Sequence, residues 1–246
     1  MQVDSLVVQL RPRAPYEAAD LGARLCQQSA ASVYRCYLAV ALPVTALCVA
    51  SFQIAHWLPG VALWCCKPWL DRTVLFVLSR AAFGQPTTLG ELWEAQRQVW
   101  WRQLILTFTL RRLSPWRSLT QPVYQLEGLS LLKSRKRVLQ IRGRDTRAAT
   151  LVTSAFATAE TCLTISVLSL VFWLAPAGQV PDVRALFVGG PGGNDLLLLV
   201  PSISYALAVL FLEPFYVAAG FAMYLNRRAE LEAWDVEQDL RRAFAT

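Results

Sequence analysis

The sequence predicts an all-α fold: a polytopic transmembrane helical bundle of about four main spans plus interfacial or re-entrant helices, in a single integral membrane domain over residues 1–246. Three observations point there. The chain is 55% hydrophobic and only 17% charged, with mean hydropathy +0.36, whereas soluble domains carry about 25% charged residues. Apolar runs of membrane length recur along it. Its net charge of +7 is concentrated: between Arg111 and Arg147 lie ten Lys or Arg residues against two acids, Glu127 and Asp145. Flanked by apolar runs, such a cluster reads as a cytoplasmic segment facing anionic lipid. No recognition motif accompanies the charge to suggest nucleic acid.

Residues 1–35 read as a cytoplasmic arm. Met1 to Leu10 carries Asp4 and no early basic region, unlike a cleavable signal peptide, so the first span is expected to serve as an uncleaved anchor. Arg11-Pro12-Arg13-Ala14-Pro15 is expected to be extended, because proline disfavours helix in the residue before it. From Tyr16 to Tyr34, Ala18, Leu21, Leu25 and Cys26 recur at helical spacing among Glu17, Asp20 and Arg24. That amphipathic helix is expected to lie along the membrane surface or to continue into the first span.

Cys36 to Cys66 carries no formal charge and is too long for one span of about 20 residues. Trp57-Leu58-Pro59-Gly60 supplies the break. Span one is placed at about 36–56 and span two at about 61–83. The second has a polar centre, Lys67-Pro68-Trp69-Leu70-Asp71-Arg72. Either the helix breaks there or only Thr73 to Phe83 inserts deeply, and Lys67 and Asp71 are spaced to pair on one helical face. Gly84 to Thr88 is a turn, and Leu89 to Gln98 is amphipathic. Val99 to Leu110 is apolar but too short to span, so it reads as interfacial or re-entrant.

The basic stretch 111–149 reads as a cytoplasmic loop broken at Ser114-Pro115 and Gln121-Pro122. Lys133, Arg135, Lys136 and Arg137 are its candidate anionic-lipid contacts. Thr150 to Leu174 is the clearest span, 25 residues with one charge, Glu160, and small residues suited to close helix packing. Pro176 to Asp195 contains one basic residue, Arg184, which marks the outer side. Its Gly189-Gly190-Pro191-Gly192-Gly193 is a flexible turn, since no P-loop lysine follows. Leu196 to Asn226 returns inward. Thirty-one residues make a helix of about 46 Å against an apolar layer of about 30 Å, so Pro214 is expected to kink it or its last turns to leave the membrane. Arg227 and Arg228 stop it, and Ala229 to Phe244 is a charged cytoplasmic helix. Six spans is the alternative count.

Chemistry concentrates at three acids within apolar runs, Asp71, Glu160 and Glu213. An unpaired ionised carboxylate in hydrocarbon must protonate, pair or face water. Lys67, Arg72, Arg80 and Arg102 are available as partners. The candidate intramembrane polar site is therefore Glu160, Glu213, Pro214, Lys67, Asp71, Arg72 and Arg80. Two roles stay open for it: a path or pocket for a proton, ion or polar solute, and a structural one in which the acids fix helix packing. No catalytic residue, cofactor or metal site is expected. The one histidine, His56, lacks a partner for a His-based site, and G-x-S-x-G, Walker A and H-E-x-x-H are absent. Glu230, Glu232, Asp235, Glu237 and Asp239 alternate with arginines as a solvated or partner-facing surface. The six cysteines show no CxxC spacing and are expected to pack as small hydrophobes.

Two segments carry a resemblance. One runs from Lys67-Pro68-Trp69-Leu70-Asp71-Arg72 to Phe76-Val77-Leu78-Ser79-Arg80-Ala81-Ala82-Phe83-Gly84. The other is Glu213-Pro214-Phe215-Tyr216-Val217-Ala218-Ala219-Gly220-Phe221, then Leu225-Asn226-Arg227-Arg228 and Leu231-Glu232-Ala233-Trp234-Asp235. They resemble an uncharacterised family of proteobacterial inner-membrane proteins. More weakly, the inward end of the last span is similar to the membrane domain associated with glycerophosphodiester phosphodiesterases, whose catalytic barrel has no counterpart here. The resemblance implies a multi-pass protein of the bacterial inner membrane, with both termini cytoplasmic on the charge rule. The expected function is a noncatalytic subunit or scaffold of a bacterial envelope complex, contacting membrane lipids and a protein partner but no nucleic acid. The alternatives are a small transporter or permease component with a path lined by Glu160 and Glu213, and a lipid-binding membrane module.

Overall fold

The computed structural model describes residues 13–101, 114–174 and 195–232, and every regular element among them is helical. The readings made for the N-terminal Met1 to Leu10 stretch, Arg102 to Leu110, the outer loop before Asp195 and the end of the charged C-terminal helix lie outside the described residues.

The first helix, α1 (Pro15–Gln28), starts with proline at its first position, where the missing N–H costs nothing. It buries Ala18, Gly22, Leu25 and Cys26. The buried stripe of this amphipathic helix has a protein partner. It packs along the last helix, α8 (Asp195–Glu232). A Cβ at Gly22 would fall 2.2 Å from the Ala218 carbonyl oxygen. The entry of α1 is fixed by one amide: the Arg13 N–H donates to Asn226 Oδ1 at 2.9 Å, and Asn226 Nδ2 donates to the Arg13 carbonyl at 3.0 Å.

A break at Ser29, whose hydroxyl donates to the Leu25 carbonyl at 2.6 Å, separates α1 from α2 (Ala30–Ala50). The helix begins and ends earlier than the 36–56 span expected. After a short turn, α3 (Leu58–Ala81) runs without interruption through the polar segment 67–72, so the helix does not break there. The polar centre persists because α5 (Arg117–Leu126) lies beside it. Gln121 donates to the Pro68 carbonyl at 3.2 Å and Gln125 to the Arg72 carbonyl at 2.8 Å.

Gly84 turns the chain with φ +69°, a conformation favoured for glycine. Ser32 ties the turn to α2: its hydroxyl donates to the Thr87 carbonyl at 3.0 Å, and the Thr87 N–H donates to Ser32 Oγ at 3.1 Å. A reciprocal capping box between Thr88 and Glu91 opens α4 (Leu89–Glu94). A π-helical turn, Arg97–Trp101, follows, with the Trp100 indole donating to Thr73 Oγ1 at 3.0 Å.

The basic stretch expected to be a loop contains two helices, α5 and α6 (Leu131–Arg142). Pro122 lies inside α5 rather than ending it. Leu119 and Val123 are fully buried, placing α5 in the core. α7 (Thr146–Leu174) and α8 follow. α8 is one continuous helix with Pro201 and Pro214 inside it. Near Pro214, which lacks an N–H, Tyr34 Oη donates to the Phe211 carbonyl at 2.7 Å.

Three helices are long and apolar enough to cross a membrane: Ala30–Gln53, Thr146–Leu174 and Leu198–Glu232. The polar centre of α3 separates it from that set. At the basic end, Arg137 binds Glu127 at 3.2 Å and also Glu232, while Arg228 binds Glu232 at 2.7 Å. Tyr224 donates to Glu127 at 2.8 Å. This clamp joins α5, α6 and α8.

Two outcomes follow from this packing. Gly220 on α8 approaches α5 so closely that a Cβ would meet the Ser118 Cβ at 2.2 Å. Gly22→Ala and Gly220→Ala should each lower resistance to unfolding in SDS by about 1–3 kcal/mol. Gly60→Ala, where nothing lies within 4 Å, should leave it unchanged or raise it by up to about 1 kcal/mol. The second concerns acid. The Thr88 backbone N–H and then its hydroxyl hold the Glu91 carboxyl below the usual carboxylate range. The cap is therefore fully effective above the unfolded value of about 4.3 and is lost as pH falls through the lower folded value. Hydrogen-exchange protection factors of the α4 amides, taken relative to the intrinsic rate at each pH, should fall on acidification below about pH 4, and Thr88→Ala should remove that acid step.

Candidate functional site

Helical periodicity places Lys67 and Asp71 on one face of α3, one turn apart. That face looks toward Glu160 of α7, Glu213 of α8 and Arg117 at the first position of α5. Lys67 Nζ lies 2.5 Å from Glu160 Oε2 and 2.7 Å from Glu213 Oε2. Arg117 Nη2 donates to Glu213 Oε1 at 2.8 Å, and its Nε is 3.1 Å from Asp71 Oδ2. The result is a chain of alternating groups, Glu160–Lys67–Glu213–Arg117–Asp71, that touches four helices. Asp71 and Glu213 are 1% and 2% exposed, and the Glu160 side chain is the most accessible member at 17%. Every link between Lys67, Arg117 and the glutamates is a charge-assisted contact, the strongest kind available in a low-dielectric interior.

Aromatic and hydroxyl groups complete the surroundings. The Arg117 guanidinium lies 5.2 Å from the centre of the Tyr216 ring, which stands one turn beyond Glu213. Phe156 meets the same ring edge-on at 5.6 Å. Thr153 donates to the Pro115 carbonyl at 2.7 Å and lies 3.3 Å from the Tyr216 hydroxyl. Between these elements is a cavity of about 110 Å³, bounded by Lys67, Arg117, Thr153, Glu160, Glu213 and Tyr216. It has room for a few water molecules or a small polar group.

Of the residues singled out in the sequence, the structure brings together Lys67, Asp71, Glu160 and Glu213, with Pro214 adjacent in α8. Lys67 and Asp71 reach across to other helices rather than to each other. Arg80 does not join them: it pairs with Glu91 at 2.6 Å, linking the end of α3 to α4. Arg72 is buried on the wall of a separate small cavity with Tyr124 and Gln125. Arg102 lies outside the described residues. Among the candidate lipid contacts, Lys133, Arg135 and Lys136 are exposed on α6, whereas Arg137 is taken into the basic-end clamp.

The residue that sequence reasoning missed is Arg117, which had been assigned to the loop. A signal for it existed. Arg117, Gln121 and Gln125 recur at i, i+4 and i+8, forming a polar stripe that faces the polar centre of α3. Among the described residues, no group of three or more His, Cys, Asp or Glu side chains is arranged to hold a metal ion. Comparison of the chain with protein-family models, curated proteins and solved structures finds no match.

Removing one member of a buried ion pair leaves an uncompensated charge, at a cost of about 3–5 kcal/mol. Lys67→Met should lower stability by that order in SDS unfolding, because Glu160 loses its cation and Glu213 loses one of two. Arg117→Lys should also destabilise despite its retained charge, since an ammonium lacks the planar edge that faces both Asp71 and Glu213. Arg80→Lys, outside the chain of charges, should change stability by no more than about 0.5 kcal/mol.

Proposed function

We propose that this protein is a noncatalytic, multi-span subunit or scaffold of a bacterial envelope complex, seated in the inner membrane with both termini cytoplasmic. In this reading four helices cross the bilayer: α2, α3, α7 and α8. The polar centre of α3 is tolerated because its charges face inward onto α5, α7 and α8. The basic segment between α5 and α7 lies on the cytoplasmic side, where Lys133, Arg135 and Lys136 face anionic headgroups.

The observation that carries the subunit reading is the outward face of α7. None of the span's most apolar window is buried within the chain. Its exposed positions include Ser154, Ala155, Thr158, Cys162, Ser166 and Ser169, which recur at helical spacing on one side, with Leu151 and Ile165 exposed among them. A lipid-facing surface is ordinarily Leu-, Ile- and Phe-rich, whereas small residues let another helix approach closely. The ion chain holds the opposite side of α7 against α3 through Glu160, so the small-residue face is presented in a fixed orientation.

A second reading, a small transporter component, draws on the cavity beside Glu160 and Glu213. It predicts solute flux in reconstituted vesicles that is lost in Glu160→Gln while the protein stays folded.

A photoreactive amino acid placed at Thr158 or Ser166 in native membranes tests the first reading. The expected result is a discrete protein adduct, either a second copy or a distinct partner, from both positions and not from the exposed Leu47 of α2. Thr158→Leu should suppress the adduct formed from Ser166 while changing stability by no more than about 0.5 kcal/mol. Lipid adducts alone at both positions would remove the subunit reading.

A further inference from the structure

Asp71 differs from the other carboxylates of the ion chain. Glu213 receives a cation on each oxygen: Lys67 at Oε2, 2.7 Å away, and Arg117 at Oε1, 2.8 Å away. Asp71 is 1% exposed, yet among the described residues no N–H or O–H donor reaches either of its oxygens with hydrogen-bond geometry. Arg117 Nε comes within 3.1 Å of Oδ2, but its N–H is not aimed there. The carboxyl beside it is Glu213: both acids meet the same guanidinium, Asp71 Oδ2 at 3.1 Å from Arg117 Nε and Glu213 Oε1 at 2.8 Å from Nη2.

Two ionised carboxylates are acceptors only. Placed side by side in a buried site, they repel, and one of them takes up a proton. A proton on Asp71 supplies the donor its surroundings lack and allows a carboxylic acid–carboxylate hydrogen bond, which is short and strong. Glu213 is the member that remains ionised, because both of its oxygens already accept from cations. With Asp71 neutral, Glu160 and Glu213 balance Lys67 and Arg117, so these five groups carry no net charge.

We propose that Asp71 and Glu213 form a proton-binding site, with the proton resident on Asp71 and donated to Glu213 at neutral pH. The groups that set its occupancy are Lys67 on α3, Arg117 on α5, Glu160 on α7, and Tyr37 on α2, whose hydroxyl is fully buried without a hydrogen-bond partner among the described residues. The site has two charge states. Loss of the proton places two negative charges against one edge of Arg117.

Infrared spectroscopy of the full-length protein in lipid, prepared with 13C-carboxyl aspartate, tests this at neutral pH. A protonated carboxyl C=O band that shifts with the label and disappears in Asp71→Asn is expected. Absence of any label-sensitive protonated band in the native protein would overturn the proposal. If Asp71→Asn does not fold, Asp145→Asn decides the assignment: a band surviving in that variant supports the site, and a band lost there overturns it. Stability provides an independent readout. An asparagine amide replaces the donor of a protonated aspartate, so Asp71→Asn should shift the unfolding equilibrium by only a few-fold, whereas Glu213→Gln should shift it by roughly 100-fold or more. Equal losses in the two variants would mean that Asp71 is an ionised partner of Arg117.

Discussion

The constraint on which this structure depends is that charged groups buried in an apolar bundle must satisfy one another. Lys67, Arg117 and Glu213 form the centre of that solution, and Glu160 and Asp71 close its ends. Desolvation offsets most of the attraction in such a chain, so its contribution to net stability is small. Its effect on geometry is larger. A cation cannot contact two carboxylates from different helices unless those helices stand at one rotation and one height. Lys67 sets α3 against α7 and α8 in this way, and Arg117 sets the start of α5 against α3 and α8. Apolar packing alone tolerates sliding and rotation that these contacts forbid.

Close backbone approach makes the same arrangement possible from the other direction. Gly22 and Gly220 bring α1 and α5 onto α8 on either side of Ala218 and Ala219. With a longer side chain at Gly220, α5 would stand away from α8, and the Arg117 guanidinium would leave the Glu213 carboxylate. The small residues of α8 and its acid therefore belong to one device. The first sets the spacing between helices, and the second uses that spacing to make charge-assisted contacts. At the basic end, Glu127, Arg137, Tyr224, Arg228 and Glu232 repeat the logic in a wetter setting, where exposed pairs are individually weak and gain from forming a network.

Much of this was legible from the chain itself. Long apolar runs identified α2, α7 and α8, because hydropathy over a long window is a strong signal. The three acids and Lys67 were visible as anomalies, since a charge in an apolar run has few explanations. Boundaries were less legible: α2 starts within the segment assigned to the amphipathic arm, because Ser29 breaks the helix without any proline or glycine to announce it. The basic segment was the main misreading. Its charge density and two prolines suggested an exposed loop, yet α5 is a core helix that contains Pro122 and begins with the central arginine. Its identity depends on contacts with residues 40 to 100 positions away, and composition carries no record of those. Arg80 shows the converse. It sits among the apolar residues of α3, but the chain returns through the Gly84 turn to bring Glu91 within reach, a local pairing that hydropathy does not weigh.

The two sides of α7 bring these points together. Inward, Glu160 reaches Lys67, and Thr153 reaches the segment before α5, so the helix is held by polar contacts at two heights. Outward, its hydroxyls turn back on their own backbone: Ser154 donates to the Leu151 carbonyl, Ser166 to that of Cys162 and Ser169 to that of Ser166. Those bonds leave no buried donor unsatisfied, so the face is stable against lipid and offers little polar attraction of its own. Between Leu151 and Ile165 it carries small side chains, Ser154, Ala155, Thr158 and Cys162, which suit close approach of another helix over about two turns. The helix is thus anchored by charge on one side and uncovered within the chain on the other. The ion chain fixes the orientation of α7 and with it the direction in which that face is presented.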